Sequence, residues 1–193
     1  MKNAIPMKHQ LIVSIFLALA ISTTPASVPT SVPASDNPVK IGCEQHGGGR
    51  WFFSGEMADV AVLDRALSLE EIATLAKGER KDVQTFDGKT GKPLAAPEIS
   101  KSLTVSGWIK AATLSAEADY IVSKGEWNQA YSLGLSNSHL RFSIGERMLQ
   151  CDDPIPLNQW VHVAGVYDGR QMTVLVDGKV KKSMIVEMPS AHR

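Results

Sequence analysis

Three observations read the second half of the chain as an all-β sandwich. From residue 100 onward, apolar and polar residues alternate with period two, the spacing of half-buried strands. Turn signals punctuate those stretches closely, among them Asp168-Gly169 and Asp177-Gly178. Only one convincing helix start occurs in the whole chain, at Ser68.

The 193 residues are 44% hydrophobic and 21% charged, an ordinary globular composition for which one domain is the default. Lys+Arg and Asp+Glu number 20 each, so no charge excess points to nucleic acid or an anionic membrane surface as partner. Residues 1–26 have the layout of an export signal. Lys2, Lys8 and His9 precede the apolar run Leu11–Ile21, and Thr24 and Ala26 follow in an A-x-A-like arrangement. That run falls short of the roughly twenty residues a membrane span takes. The expected location is secreted, periplasmic or cell-surface, with no membrane attachment after cleavage. Residues 27–38, rich in Pro, Ser, Thr and Ala, read as an extended spacer.

Two blocks follow, 39–78 and 84–190, joined by the short polar stretch 78–83. In the first, Ser68 and Glu71 have the spacing of a capping box. Ile72, Leu75 and Ala76 then share one helix face, and Gly78 ends the helix. In the second, Leu103, Val105, Gly107 and Ile109 share one strand face and Thr104, Ser106, Trp108 and Lys110 the other. Tyr131–Leu135 and Leu140–Ile144 form a hairpin across Ser-Asn-Ser. Trp160–Tyr167, Met172–Val176 and Lys179–Val186 make a meander whose Asp-Gly turns suit tight type I′ geometry, with positive φ at both central residues. Lys181 and Lys182 would guard the last strand against edge-to-edge pairing if it lies at a sheet edge.

Several of these phrases resemble one family. Residues 103–110 (LTVSGWIK), 121–124 (IVSK), 158–169 (NQWVHVAGVYDG) and 174–180 (VLVDGKV) resemble the opening two-thirds of a laminin-G-like, concanavalin A-like jelly-roll domain of the lectin-glucanase type. Residues 39–42 (VKIG) and 53–72 (FSGEMADVAVLDRALSLEEI) resemble its closing third, and Phe86-Asp87-Gly88 its first strand. Ala58 departs from the family's usual Asp and Asp59 stands where Glu is usual, which weakens any polar or metal role at that turn. The resemblance spans roughly residues 35–190 and implies a jelly-roll β-sandwich with one short helix, its closing block ahead of its opening block. Such an order arises in a circularly permuted domain or from the tail of one repeat fused to the head of the next. A length close to one family domain favours the permuted sandwich over 39–190. In an oxidising compartment Cys43 and Cys151 could then form a disulfide across the two blocks.

No catalytic motif accompanies these phrases. Related hydrolases carry acids in an E-x-D-x-x-E spacing, and the nearest string, Glu117-Ala118-Asp119-Tyr120-Ile121-Val122, lacks the last one. His46-Gly47-Gly48-Gly49 has no accompanying nucleophile elbow. His162 reads as a packed structural histidine. Asp152 and Asp153, adjacent in a loop, could hold calcium through hard oxygen ligands, the only cofactor the chain brings to mind. For glycan stacking the leading candidate is Trp127, flanked by Glu126 and Asn128, with Trp51 beside Arg50 second. The resemblance therefore implies an exported, noncatalytic binding or adhesion module for a glycan or an extracellular protein. A ligand-free accessory fragment of a larger secreted protein and a degenerate glycoside hydrolase are the alternatives.

Overall fold

The computed structural model describes residues 31–44, 51–99, 101–115, 117–126 and 129–186. The first block supplies β1 (Val39–Ile41), β2 (Ser54–Leu63) and α1 (Leu69–Leu75). The second supplies β3 (Gln84–Asp87), β4 (Lys92–Pro93), β5 (Leu103–Ala111), β6 (Asp119–Lys124), β7 (Tyr131–Ser136) and β8 (His139–Ile144). It continues through β9 (Arg147–Pro154), β10 (Val161–Tyr167), β11 (Gln171–Val176) and β12 (Lys179–Ile185).

These strands form two antiparallel six-stranded sheets. One runs β4-β1-β6-β7-β8-β9 and is here called the front sheet; the back sheet runs β12-β11-β10-β5-β2-β3. Both blocks build both sheets. β1 lies between β4 and β6, and β2 lies between β3 and β5, so each sheet takes an internal strand from the first block. The core fills the space between the inner faces, with Phe53, Ile109, Leu133, Phe142 and Tyr167 fully buried. Gly165 of β10 is bare because the Phe142 ring crosses from the other sheet; a Cβ there would sit 2.5 Å from that ring.

The turns follow local chemistry, with one departure. Asn137 and Ser138 both adopt positive φ (47° and 71°) in a two-residue hairpin, as do Asp177 and Gly178 (49° and 72°). Asp168-Gly169 instead sits in a longer loop. There Asp168 Oδ1 accepts from the backbone N–H groups of Arg170 and Gln171, at 2.8 and 2.6 Å, so the side chain shapes the turn. At α1 the capping box is present in full. Ser68 Oγ accepts from Glu71 N at 3.2 Å, and the Glu71 carboxylate accepts from Ser68 N at 2.8 Å.

Four expectations need correction. β5 is not half-buried: its outward residues Thr104, Ser106 and Trp108 are covered as well as its inward ones. The cover comes from the segment around α1. Leu67 N donates to Thr104 Oγ1, and Arg80 lies over Trp108. Leu67 and Ile72 close a second apolar cluster with Ala164, Val166 and Leu175 on the outside of the back sheet. Leu75, placed on the same helix face by spacing, stays exposed at the helix end. Next, Asp152 and Asp153 belong to β9, not to a loop.

Last, Cys43 and Cys151 are free thiols. Cys43 lies just beyond β1 and bridges to Phe52, whereas Cys151 is inside β9. Three strands separate β1 from β9, which at about 4.8 Å per strand puts the two cysteines roughly 19 Å apart. Disulfide geometry needs Cα atoms about 4.4–6.8 Å apart. Gly91 packs against the Cys43 sulfur, and Cys151 Sγ donates to Asp153 O at 3.0 Å. Burial pushes both thiols up from their ordinary pKa, which keeps them protonated and poorly reactive. The unfolding midpoint is therefore expected to be the same with and without reductant. A fall of several degrees on reduction, followed by differential scanning calorimetry, would contradict this geometry.

Candidate functional site

The outer face of the front sheet carries an aromatic and polar cluster. Arg141 stands between the core residues Leu140 and Phe142, so β-strand alternation turns its side chain outward. Tyr120 is outward for a less regular reason. The pairing of β6 with β7 shifts between Tyr120 and Val122, so Ile121 and Val122 both join the core and Tyr120 is left on the outer face. Trp51 is brought in by the first block. Phe53 N donates to Gly42 O at 3.0 Å and Glu44 N to Trp51 O at 3.3 Å, while Phe52 bridges both Cys43 and Tyr120.

The Trp51 and Tyr120 ring centroids lie 6.5 Å apart, inclined at 51°. Trp51 Nε1 donates to Glu117 Oε2 at 2.7 Å, and Arg141 Nη2 donates to the Tyr120 hydroxyl at 3.2 Å. The Arg141 guanidinium also lies 5.8 Å from the Tyr120 ring centre. Together Trp51, Glu117, Ala118, Tyr120 and Arg141 line a cavity of about 190 Å³. Burial, then the nearby Glu44 carboxylate, push the Tyr120 hydroxyl up to about 12, so it stays a neutral donor and acceptor at physiological pH. Glu44 is itself nearly inaccessible and borders the same face. The site thus offers a ring platform, a guanidinium, a phenol and carboxylate oxygens. Such rings can stack on a flat ligand face, and such polar groups can hydrogen-bond it.

Of the residues singled out by sequence, Trp51 is in this cluster. Trp127 and Asn128 lie outside the described residues. Their neighbours Glu126 and Gln129 line a small recess that also touches Glu44 and Tyr120. Asp152 and Asp153 point elsewhere. They pair with Lys182 at 2.6 Å and Lys181 at 2.9 Å, linking the edge strands β9 and β12 of the two sheets. The two lysines thus sit on an edge strand, where their charges are matched across the sandwich. A cation at those aspartates would have to displace both lysines, and no group of three His, Cys, Asp or Glu side chains gathers as metal ligands among the described residues. His162 is buried on the outside of the back sheet, its ring edge-on to Trp108 with centroids 5.3 Å apart.

Sequence reasoning missed Tyr120, Glu117 and Arg141 as partners of Trp51. Alternation alone could have turned Arg141 outward. No local signal marks the bulge that turns Tyr120 to the outer face, where it is nearly inaccessible.

Two antiparallel sheets face to face with one short helix define a concanavalin A-like β-sandwich. A family model described as the concanavalin A-like lectin/glucanases superfamily, of laminin G type, matches residues 86–191. That span is more than half of the chain, and the chain belongs to this superfamily. The match begins at β3, so β1, β2 and α1 lie ahead of it while completing the same two sheets. No curated protein matches the chain.

Proposed function

We propose that the chain is an exported, noncatalytic binding module that recognises a glycan through the Trp51–Tyr120 face of the front sheet. The observation that carries this reading is the pair of inclined rings bordered by Glu117 and Arg141 in one small cavity. An indole face stacks on the apolar face of a pyranose, while a guanidinium, a phenol and carboxylates satisfy the ring hydroxyls that stacking would desolvate. The absence of the E-x-D-x-x-E spacing from the sequence supports the noncatalytic part. The layout of residues 1–26 supports export, and mass spectrometry of the protein from its native host should find the chain starting after Ala26.

The test of recognition is a polysaccharide panel read by affinity electrophoresis, with wild type and Trp51→Ala compared. Loss of a stacked indole is expected to weaken binding at least tenfold while thermal unfolding stays cooperative. If wild type binds no glycan but captures an extracellular protein, the ligand class is wrong. If it binds nothing, the accessory-fragment reading replaces this one. Release of reducing ends from a bound β-glucan would sink the noncatalytic assignment.

A further inference from the structure

The opposite sheet carries a second candidate site. The joint after α1 runs over the outside of the back sheet, and its Arg80 guanidinium lies 5.0 Å from the Trp108 ring centre and 5.5 Å from that of Trp160. Two indoles around one guanidinium make an aromatic cation cage. Arg80 forms no ion pair among the described residues, so rings alone hold its charge. Arg80 is exposed and Trp160 half-exposed, whereas Trp108 is nearly inaccessible. Contacts of this kind at an exposed position are individually weak and exchange readily.

Beside the cage lies a cleft of about 610 Å³ that shares Trp108 with it. Its apolar walls are Ala61, Leu63 and Leu75, and its polar lining includes Asp59, Glu79 and Lys81. Asp59 stands in a bulge of β2 with φ at 52°, a conformation that non-glycine residues adopt at a cost. One Asp59 oxygen accepts from Lys81 N at 2.8 Å, which ties the joint to the sheet. The Asp59 carboxylate thus stands at the cleft as a fixed negative charge beside Trp108. The cage, the Asp59 and Glu79 carboxylates and the apolar walls together fit a cation on an apolar stem.

We propose that Trp108 and Trp160 form a binding site for a guanidinium group, closed in cis by Arg80, and that a guanidinium-bearing ligand replaces Arg80 and lays its stem in the adjoining cleft. This site is on the other sheet from Trp51 and does not depend on the glycan reading. The ligand is either a free arginine-like molecule or an arginine of another polypeptide; the cage chemistry is the same.

The test is a tryptophan-fluorescence titration of the full chain, wild type and Arg80→Ala, with N-acetylargininamide. R80A is expected to respond saturably in the low-millimolar range and at least tenfold more tightly than wild type. N-acetylcitrullinamide, the neutral isostere, should give no response, and Trp160→Ala added to R80A should abolish it. A tripeptide with arginine at its centre binding tenfold more tightly than N-acetylargininamide would identify a polypeptide source; equal affinity would identify a free small molecule. A cooperatively folded R80A with no saturable response, or with an equal response to the citrulline compound, would overturn the proposal. If R80A does not fold, Arg80→Gln is titrated instead. Failure of both to fold would also overturn it, since a displaceable side chain cannot be essential to the fold.

Discussion

Gly55→Ala should cost this domain several kcal/mol of its stability. Gly55 lies in β2 opposite Ala111 on one side and Phe86 on the other, so it is hemmed in by strands of the second block. Its φ of 142° lies in the region that side chains rarely adopt. A Cβ would run into the Lys110 carbonyl, with Ala112 N only 2.9 Å away, and both obstacles are backbone. Neither can swing aside as a flexible side chain would. Backbone strain of about 1–3 kcal/mol and overpacking of about 1–3 kcal/mol together put the loss at roughly 2 to 6 kcal/mol. That is a large part of the roughly 5–15 kcal/mol that holds a typical domain folded. Gly88→Ala is the control. Its φ is also positive, at 73°, but its Cβ would meet only Ser54 Cβ at 3.2 Å, so it should cost about 1 kcal/mol. Urea unfolding followed by tryptophan fluorescence compares the two. If G55A lies within about 0.5 kcal/mol of wild type, β2 does not sit between β3 and β5, and the two blocks do not share a sheet.

Several elements were legible because their cause is local. The capping box is legible because Ser68 and Glu71 satisfy each other within one turn. The Asp177-Gly178 hairpin is legible because its two residues tolerate positive φ. Period two in β10 is legible because Val163 and Tyr167 face the core while His162 and Ala164 face away. What was not legible depends on neighbours distant in sequence. Alternation in β5 predicts an outward face, but not that α1 and its joint will cover it. A disulfide between Cys43 and Cys151 depends on strand order, and the order puts β6, β7 and β8 between them. Asp152 and Asp153 read as loop acids because Lys181 and Lys182, which match them across the edge, come about thirty residues later. At the candidate site Trp51 stands out as an aromatic beside Arg50. Its partner Tyr120 depends on a bulge that shifts which residues face outward, and alternation is blind to that.

His162 should make the fold sensitive to acid well before its carboxylates titrate. The ring is 2% exposed, and Nδ1 has no hydrogen-bond partner. Burial lowers its pKa from 6.5 to about 4, an effect only partly opposed by the charges of Asp177 and Asp59. Those acids face it from the β11–β12 turn and from β2, Trp108 from β5, and Glu79, Arg80 and Lys81 approach from the joint. The unfolded chain therefore binds a proton that the folded chain refuses between pH 6.5 and about 4. Stability is full above 6.5, falls as the pH drops through this window and levels off below it. Each pH unit there is worth about 1.4 kcal/mol, so the total is roughly 3 kcal/mol. Other groups act near the lower end. Glu71, Asp87 and Asp153 have lowered pKa values and withdraw stability as they protonate, mostly at lower pH. Asp119, raised by burial, gains stability on acidification and offsets part of the fall. His162→Gln isolates the effect, since the amide keeps hydrogen-bonding capacity without titrating. Urea midpoints at pH 7, 6, 5 and 4.5 should fall steadily for wild type and stay nearly level for H162Q. Parallel slopes would mean that the imidazole is not the group the folded chain keeps uncharged, and the acid response would have to come from the carboxylates.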